Sequence, residues 1–399
     1  MIHGEKTVSD ATEYFHWSCN GKTFTNKFKA LYEKDLSGDV VQFNIPTSYN
    51  NVSWNQEPTQ SWKEILKNRA QEIRDSYKKV RLFYSGGSDS TCVLHAFIDN
   101  NIFIDEIVVS IKYPKEVGAD PEPVNVAIPY IESIKHKIPN TKFTLAQVTI
   151  EDCRQIVADP FFWQHLIRYP SLMCGTASSG YQGLVPQLYS KFVEDDCINI
   201  ICRDKPRLKW INNKCYTYWL DSSVQAMSAP WNSTACFFYN DSPTVYLKQC
   251  HLLKQYIENN FPIDKWNTIC NYKTNESQTA WMIGSGRINK DQSPPTLKQF
   301  DIKLFTDSEV QQLLSVGISD LSRETLKYRE LRRILDFISA GYTDIVKDTL
   351  RAQEVSTAYH HWFNDGQIGK GPIGCLTNFY CLTDGSVETV DNLFPNGFS

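Results

Sequence analysis

The run Val80 to Thr91, VRLFYSGGSDST, constrains the fold more than any other part of the chain: a short apolar segment breaks off into a polar turn built on two adjacent glycines. Val80 to Tyr84 is a short, largely apolar run suited to a strand buried on both faces. Beyond the turn, Ser90 to about Asp99 carries Val93, Leu94 and Phe97 and reads as a helix. The pattern then repeats. Glu106 to Ile111 (EIVVSI) is expected to be a second strand, about Pro123 to His136 a helix, and Lys142 to Val148 (KFTLAQV) a third strand. Strands alternating with helices through short joints select right-handed crossovers and a parallel sheet. Residues 80–150 therefore read as the first half of a doubly wound, Rossmann-like α/β domain.

The flanking sequence supplies its supports. Ser61 and Glu64 have the S-x-x-E spacing of a capping box, and Trp62, Ile65, Leu66, Ile73 and Tyr77 recur at helical spacing, which predicts an amphipathic helix from Ser61 to about Lys79. Residues 1–60 lack a long period and form an N-terminal extension of short strands and loops. Helices around Glu151 to Ala158 and Tyr181 to Phe192 precede another buried strand, Cys197 to Cys202 (CINIIC). LKWINNKCYTYWL alternates about Asn212 and Asn213 as a hairpin would, and Val245 to Phe261 has a strong helical pattern. The paired prolines of Ser285 to Gln299 mark a linker. The expected domains are thus 61–284, with 285–299 as linker and 300–399 as a mainly helical C-terminal addition.

Composition limits the function classes. At 399 residues, 41% hydrophobic and 22% charged, the chain has the makings of a folded protein with a sizeable core. Its net charge of −4, from 41 basic and 45 acidic residues, provides no global positive field for a polyanion, so any nucleic-acid contact would be local. The 12 cysteines, spread from Cys19 to Cys381 without tight pairs, suit reduced buried thiols better than a disulfide framework or a zinc ribbon. The N-terminus lacks the apolar core of a signal peptide, and no stretch approaches the run of about 18 apolar residues that spans a bilayer. The expectation is a cytoplasmic protein without membrane contact.

Chemistry concentrates in Ser85-Gly86-Gly87-Ser88-Asp89-Ser90-Thr91. Adjacent glycines let the backbone turn tightly and present consecutive N–H groups, and the following helix adds unsatisfied donors and a positive dipole end. Such a loop suits a phosphate. Ser85, Ser88, Ser90 and Thr91 contribute hydroxyls, and Asp89 is placed to hold Mg²⁺ against the phosphates. Neither G-x-x-x-x-G-K-[ST] nor G-x-G-x-x-G fits, which sets aside Walker kinases and dinucleotide sites.

The string S-G-G-x-D-S resembles the PP-loop of the ATP pyrophosphatases, the adenine nucleotide α-hydrolase-like superfamily that includes asparagine synthetase, GMP synthetase, NAD synthetase, 7-cyano-7-deazaguanine synthase, tRNA thiolation enzymes and 3′-phosphoadenylylsulfate reductases. The resemblance rests on Ser85, Gly86, Gly87, Asp89 and Ser90 and on the surrounding fold from about 80 to 205. It implies that the loop grips the β and γ phosphates of ATP, with Mg²⁺. A carbonyl, carboxylate or amide then attacks the α phosphorus, pyrophosphate leaves, and ammonia or sulfur displaces AMP. The subfamily signatures are missing: residue 2 is Ile rather than a nucleophilic Cys, and the chain lacks the ECGLH tail of sulfonucleotide reductases and the CxxC pairs of thiolation enzymes. The chain is most similar to divergent PP-loop proteins of large tailed phages, which would place it in the host cytoplasm. The acceptor, a small molecule or a nucleobase, is not specified. Two rivals stay open: a non-catalytic nucleotide-binding or structural protein, and a sulfonucleotide reductase relative.

A cationic turn, Arg203-Asp204-Lys205-Pro206-Arg207, follows the strand CINIIC and would leave the sheet on the same edge as the loop. Lys205 and Arg207 are candidates to neutralise charge on the α phosphate and departing pyrophosphate, with Asp204 sharing the metal. Other features are better explained without function: Glu122 and Asn125 at a helix start, His360 and His361 on different helix faces, Gly284 to Arg287 as a flexible turn, and Cys92 as a packing residue one position past the loop. The aromatic residues between Lys209 and Trp219 are explained equally by base stacking and by hairpin packing.

Overall fold

The computed structural model describes residues 12–13, 15–24, 30, 33–34, 36–112, 126–148, 194, 196–202, 206–219, 234–238, 243–270 and 376–395. In chain order the strands are β1 (His16–Cys19), β2 (Lys22–Phe24), β3 (Gln42–Asn44), β4 (Lys79–Phe83), β5 (Glu106–Lys112), β6 (Lys142–Val148), β7 (Cys197–Ile201), β8 (Arg207–Ile211), β9 (Lys214–Tyr218), β10 (Thr234–Cys236), β11 (Phe379–Cys381) and β12 (Val387–Glu388). The helices are α1 (Trp62–Ser76), α2 (Ser88–Ile98), α3 (Ile128–Ile134), α4 (Pro243–Asn260), α5 (Trp266–Cys270) and α6 (Val390–Leu393).

A parallel sheet of order β10-β7-β4-β5-β6 forms the centre. The chain builds outward from β4 through β5 to β6, then returns to the opposite flank of β4 for β7 and β10. The winding therefore reverses between β4 and β7, and ligands of open α/β sheets bind at the carboxyl ends of the strands at such a reversal. Leu82 lies level with Ile107 on one side and Ile200 on the other, and all three are fully buried. Continuous apolar strands are what a parallel sheet covered by helices requires.

Helix α1 starts at the expected capping box: the Ser61 hydroxyl accepts from the Glu64 N–H at 3.2 Å, and the Glu64 carboxylate accepts from the Ser61 N–H at 2.8 Å. It stops at Ser76, short of Lys79, because Arg74 reaches past its end to the carbonyls of Tyr77 and Lys78 and to the Asp105 carboxylate. Lys79 is thereby free to open β4. Helix α2 starts at Ser88, earlier than the apolar pattern shows, with Gly87 as its N-cap. The helices expected at 151–158 and 181–192, the start of the one expected from Pro123, and the linker at 285–299 fall outside the described residues.

Two antiparallel sheets flank the parallel one. β2-β1-β3 turns at Asn20 and Gly21, and β12-β11-β9-β8 includes the hairpin at Asn212 and Asn213, where both residues have positive φ (49° and 63°) as a type I′ turn demands. In the region from 300 on, the described residues are 376–395, where β11 pairs with β9, β12 pairs with β11 and α6 follows. The N-terminal extension joins the same core. Phe15, Trp17, Phe43, Tyr49 and Trp54 are buried with Trp219 after β9 and Tyr246 of α4, and the Trp219 and Tyr246 rings stack at 4.2 Å. Among the described residues no helix is long and apolar enough to cross a membrane.

Charge is also buried in the parallel sheet. Arg81 and Glu106 are each 1% exposed, and Nε of Arg81 donates to Glu106 at 2.8 Å. The Arg81 guanidinium also donates to Asn199 at 3.0 Å and to Glu194 at 2.5 Å, while Glu106 accepts from Thr144 at 2.6 Å and from Lys142 at 3.1 Å. Burial alone would raise the Glu106 pKa; hydrogen bonds from Thr144, Arg81 and Lys142 outweigh it and hold the carboxyl at about 2. Glu106→Ala takes one carboxylate from the buried Arg81, which keeps its bonds to Glu194 and Asn199, and is expected to lower stability by about 1–3 kcal/mol in urea unfolding at pH 7. A depressed carboxyl stabilises fully above its unfolded value of about 4.3 and loses that contribution as pH falls toward 2. The stability gap between wild type and Glu106→Gln should accordingly narrow from pH 5 to pH 3.

Candidate phosphate-binding site

The loop Ser85–Gly87 joins the carboxyl end of β4 to the first turn of α2, beside the winding reversal. Gly86 has φ +87°, and a Cβ there would stand 3.0 Å from the Ala127 backbone nitrogen and 3.2 Å from its Cα. Only glycine meets both conditions. Gly87, with φ −71° and ψ 166°, caps α2 without a side chain, so no side-chain acceptor at that position competes for the N–H groups of the first turn.

Hydroxyls hold the loop in shape. Ser90, buried in the first turn, donates to the Gly87 carbonyl at 3.1 Å, and its oxygen lies 3.2 Å from the Ser85 hydroxyl and accepts from the Ser85 N–H at 3.3 Å. The Ser85 hydroxyl in turn accepts from the Gly87 N–H at 3.3 Å. Ser85 itself is exposed, and Ser88, Asp89 and Thr91 are half-buried. Asp89 accepts from the Ser88 hydroxyl at 3.3 Å, and Thr91 meets the buried Tyr84 hydroxyl at 3.0 Å. The fold thus gathers Ser85, Gly86, Gly87, Ser88, Asp89, Ser90 and Thr91 around one strand-to-helix turn. Their chemistry suits a hydrated Mg²⁺–phosphate unit: Mg²⁺ keeps most of its ligands as water and phosphate oxygens and needs only one or two carboxylates from the protein.

The second constellation is only partly described. Arg203, Asp204 and Lys205 lie outside the described residues, while Arg207 is exposed at the first position of β8, opposite Tyr218. Burial raises the Tyr218 hydroxyl pKa, and the Arg207 charge and an Arg207 hydrogen bond offset part of that rise. Lys209 follows on the same strand with its ammonium 5.0 Å from the Phe394 ring, and desolvation lowers its pKa. Glu122, Asn125, Gly284 to Arg287, His360 and His361 also lie outside the described residues. Cys92 is buried in α2 as part of the main core, the place expected of a packing residue.

Sequence reasoning passed over three residues that link α2 to α3. Asp99, His95 and Tyr130 form a hydrogen-bonded chain between α2 and α3. Their spacing in α2 is visible, since Thr91, His95 and Asp99 recur every four residues, but Tyr130 comes from a helix whose register no local pattern ties to α2.

The two glycines make unequal demands. Gly86→Ala forces a left-handed backbone and a clash with Ala127, and is expected to lower stability by about 1–3 kcal/mol, whereas Gly87→Ala keeps an allowed backbone and should fold with a nearly unchanged urea midpoint. No known protein family matches this chain, and no curated protein does.

Proposed function

We propose that the chain is an ATP pyrophosphatase of the PP-loop type, built on a Rossmann-like, adenine nucleotide α-hydrolase-like sheet, that adenylates a carbonyl, carboxylate or amide and prepares it for attack by ammonia or sulfur. One observation carries this reading: S-G-G-S-D-S, with Gly86 in the left-handed region, bridges β4 and α2 where the winding of the parallel sheet reverses. That position combines a glycine turn, a helix N-terminus and the crevice at the strand ends, three independent reasons for phosphate to bind there.

In this mechanism the Gly86 N–H and the first turn of α2 offer backbone donors to the β and γ phosphates, the Gly87 N–H joins them by giving up its bond to the Ser85 hydroxyl, and Ser85, Ser88, Ser90 and Thr91 offer hydroxyls. Asp89 is the carboxylate for Mg²⁺, which supplies charge neutralisation on the phosphate chain when bound. The acceptor oxygen attacks the α phosphorus, the bond from that phosphorus to the bridging oxygen breaks, and pyrophosphate departs into the cradle. Lys205 and Arg207 are the proposed partners for the negative charge that develops in this step, and Asp204 would share the metal with Asp89. The adenylated acceptor then loses AMP to the incoming nucleophile. Among the described residues the cysteines are buried or half-buried, and burial pushes Cys250 to about 12 and lifts Cys197, Cys215 and Cys270 as well, so none of these four is poised as a thiolate that carries sulfur.

Chromatography of labelled ATP incubated with Mg²⁺ and candidate acceptors is the direct test. AMP and pyrophosphate are the expected products; ADP and orthophosphate would overturn the assignment. Asp89→Asn preserves size and hydrogen-bonding capacity while removing the charge, so the protein should fold and lose Mg²⁺-dependent cleavage. If Lys205 and Arg207 act at the α phosphorus, replacing either with Ala lowers kcat by about 10²-fold with a smaller change in ATP affinity, as stopped assays at saturating ATP would show.

A further inference from the structure

The chain Asp99–His95–Tyr130 has no part in the mechanism above, yet its Tyr130 end reaches Tyr84, the residue that leads into the loop. Nδ1 of His95 is 3.1 Å from the Asp99 carboxylate and Nε2 is 2.5 Å from the Tyr130 hydroxyl. A carboxylate only accepts, so a neutral ring donates from Nδ1 and takes the Tyr130 O–H at Nε2. The Tyr130 ring also lies 6.2 Å from that of Tyr84, the last residue before the loop, whose hydroxyl meets Thr91 one turn before His95 on α2. Tyr130 is therefore fixed from two sides, by α2 through His95 and by the end of β4 through Tyr84.

Close upstream in the same segment stands Ala127, the residue that Gly86 turns against. The site of a Cβ on Gly86 is 3.0 Å from the Ala127 nitrogen and 3.2 Å from both its Cα and Cβ. Ala127 is fully buried, so it forms one wall of the glycine turn, and a shift of α3 relative to α2 displaces that wall. Packed interiors pass on displacements of this size because they have little free volume to absorb them.

We propose that Tyr130 is a positioning residue for the phosphate loop: its hydroxyl, oriented by His95 and Asp99, fixes α3 against α2 and so holds Ala127 where Gly86 keeps its left-handed turn. The role in phosphate binding rests on the function proposed above; the control of loop geometry does not. Gly86-Gly87 is the only Gly-Gly pair in the sequence, so doubly labelled glycine identifies the Gly87 amide in an NMR spectrum of the full chain without ligand. Tyr130→Phe, which keeps the ring against Tyr84, is expected to shift that resonance and to weaken binding of inorganic pyrophosphate about fivefold or more. His95→Ala should match it, the double variant should lose no more than either single one, and His95→Gln, which retains a donor and an acceptor, should recover much of the loss. An unmoved Gly87 amide in Tyr130→Phe, or losses that simply add, would overturn the proposal. If wild type binds no pyrophosphate, the phosphate-binding reading falls, and the Gly87 amide alone decides the positioning role.

Discussion

The register of the parallel sheet depends on the buried contact between Arg81 and Glu106. Arg81 on β4 lies level with Glu106 on β5 and Asn199 on β7, and one guanidinium bonds to both. A slip of one residue would turn Arg81 toward the opposite face, take its guanidinium away from Glu106 and Asn199 and turn Leu82 to the wrong layer. Apolar strands can slide past each other at modest cost; a buried ion pair with directional hydrogen bonds cannot. With the register fixed in the first half of the strands, Phe83 is placed level with Val108, and the chain leaves the sheet for the glycine turn at one height. The candidate site at the carboxyl edge thus inherits its geometry from charges nearer the amino edge.

Legibility in the sequence followed the range of the forces involved. The capping box at Ser61 and Glu64, the run Lys142 to Val148 and the turn at Asn212 and Asn213 are local, and each is found where its pattern lies. The end of α1 is not local. It is set by Arg74 reaching Asp105, a residue from the next crossover, so helical periodicity alone runs on toward Lys79. The buried pair was equally hidden, because Arg81 inside VRLFY reads as an interruption of an apolar run until β5 and β7 are placed beside it.

The same distinction divides the site. Ser85 to Thr91 are contiguous, and a strand followed by two glycines and a helix defines their shape almost without tertiary information. What the sequence could not show is the surface Gly86 turns against. The requirement for glycine there comes partly from φ, which is local, and partly from Ala127, which arrives from the segment before α3. Arg207 illustrates the reverse case: read as one of several cations in a turn, it opens β8 and pairs with Tyr218, so its environment is set by a hairpin.

Taken together, the loop is braced on every side that the described residues show. Ser90 and Ser85 close it from within, the end of β4 fixes one arm, α2 continues the other, and Ala127 limits its backbone. A turn meant only to connect a strand to a helix needs none of this, since loops at strand ends tolerate variation and motion. Bracing has a clear physical use where backbone N–H groups must point at a polyanion before it arrives. Preorganised donors incur little reorganisation cost on binding; the Gly87 N–H is the exception, because the Ser85 hydroxyl already accepts from it.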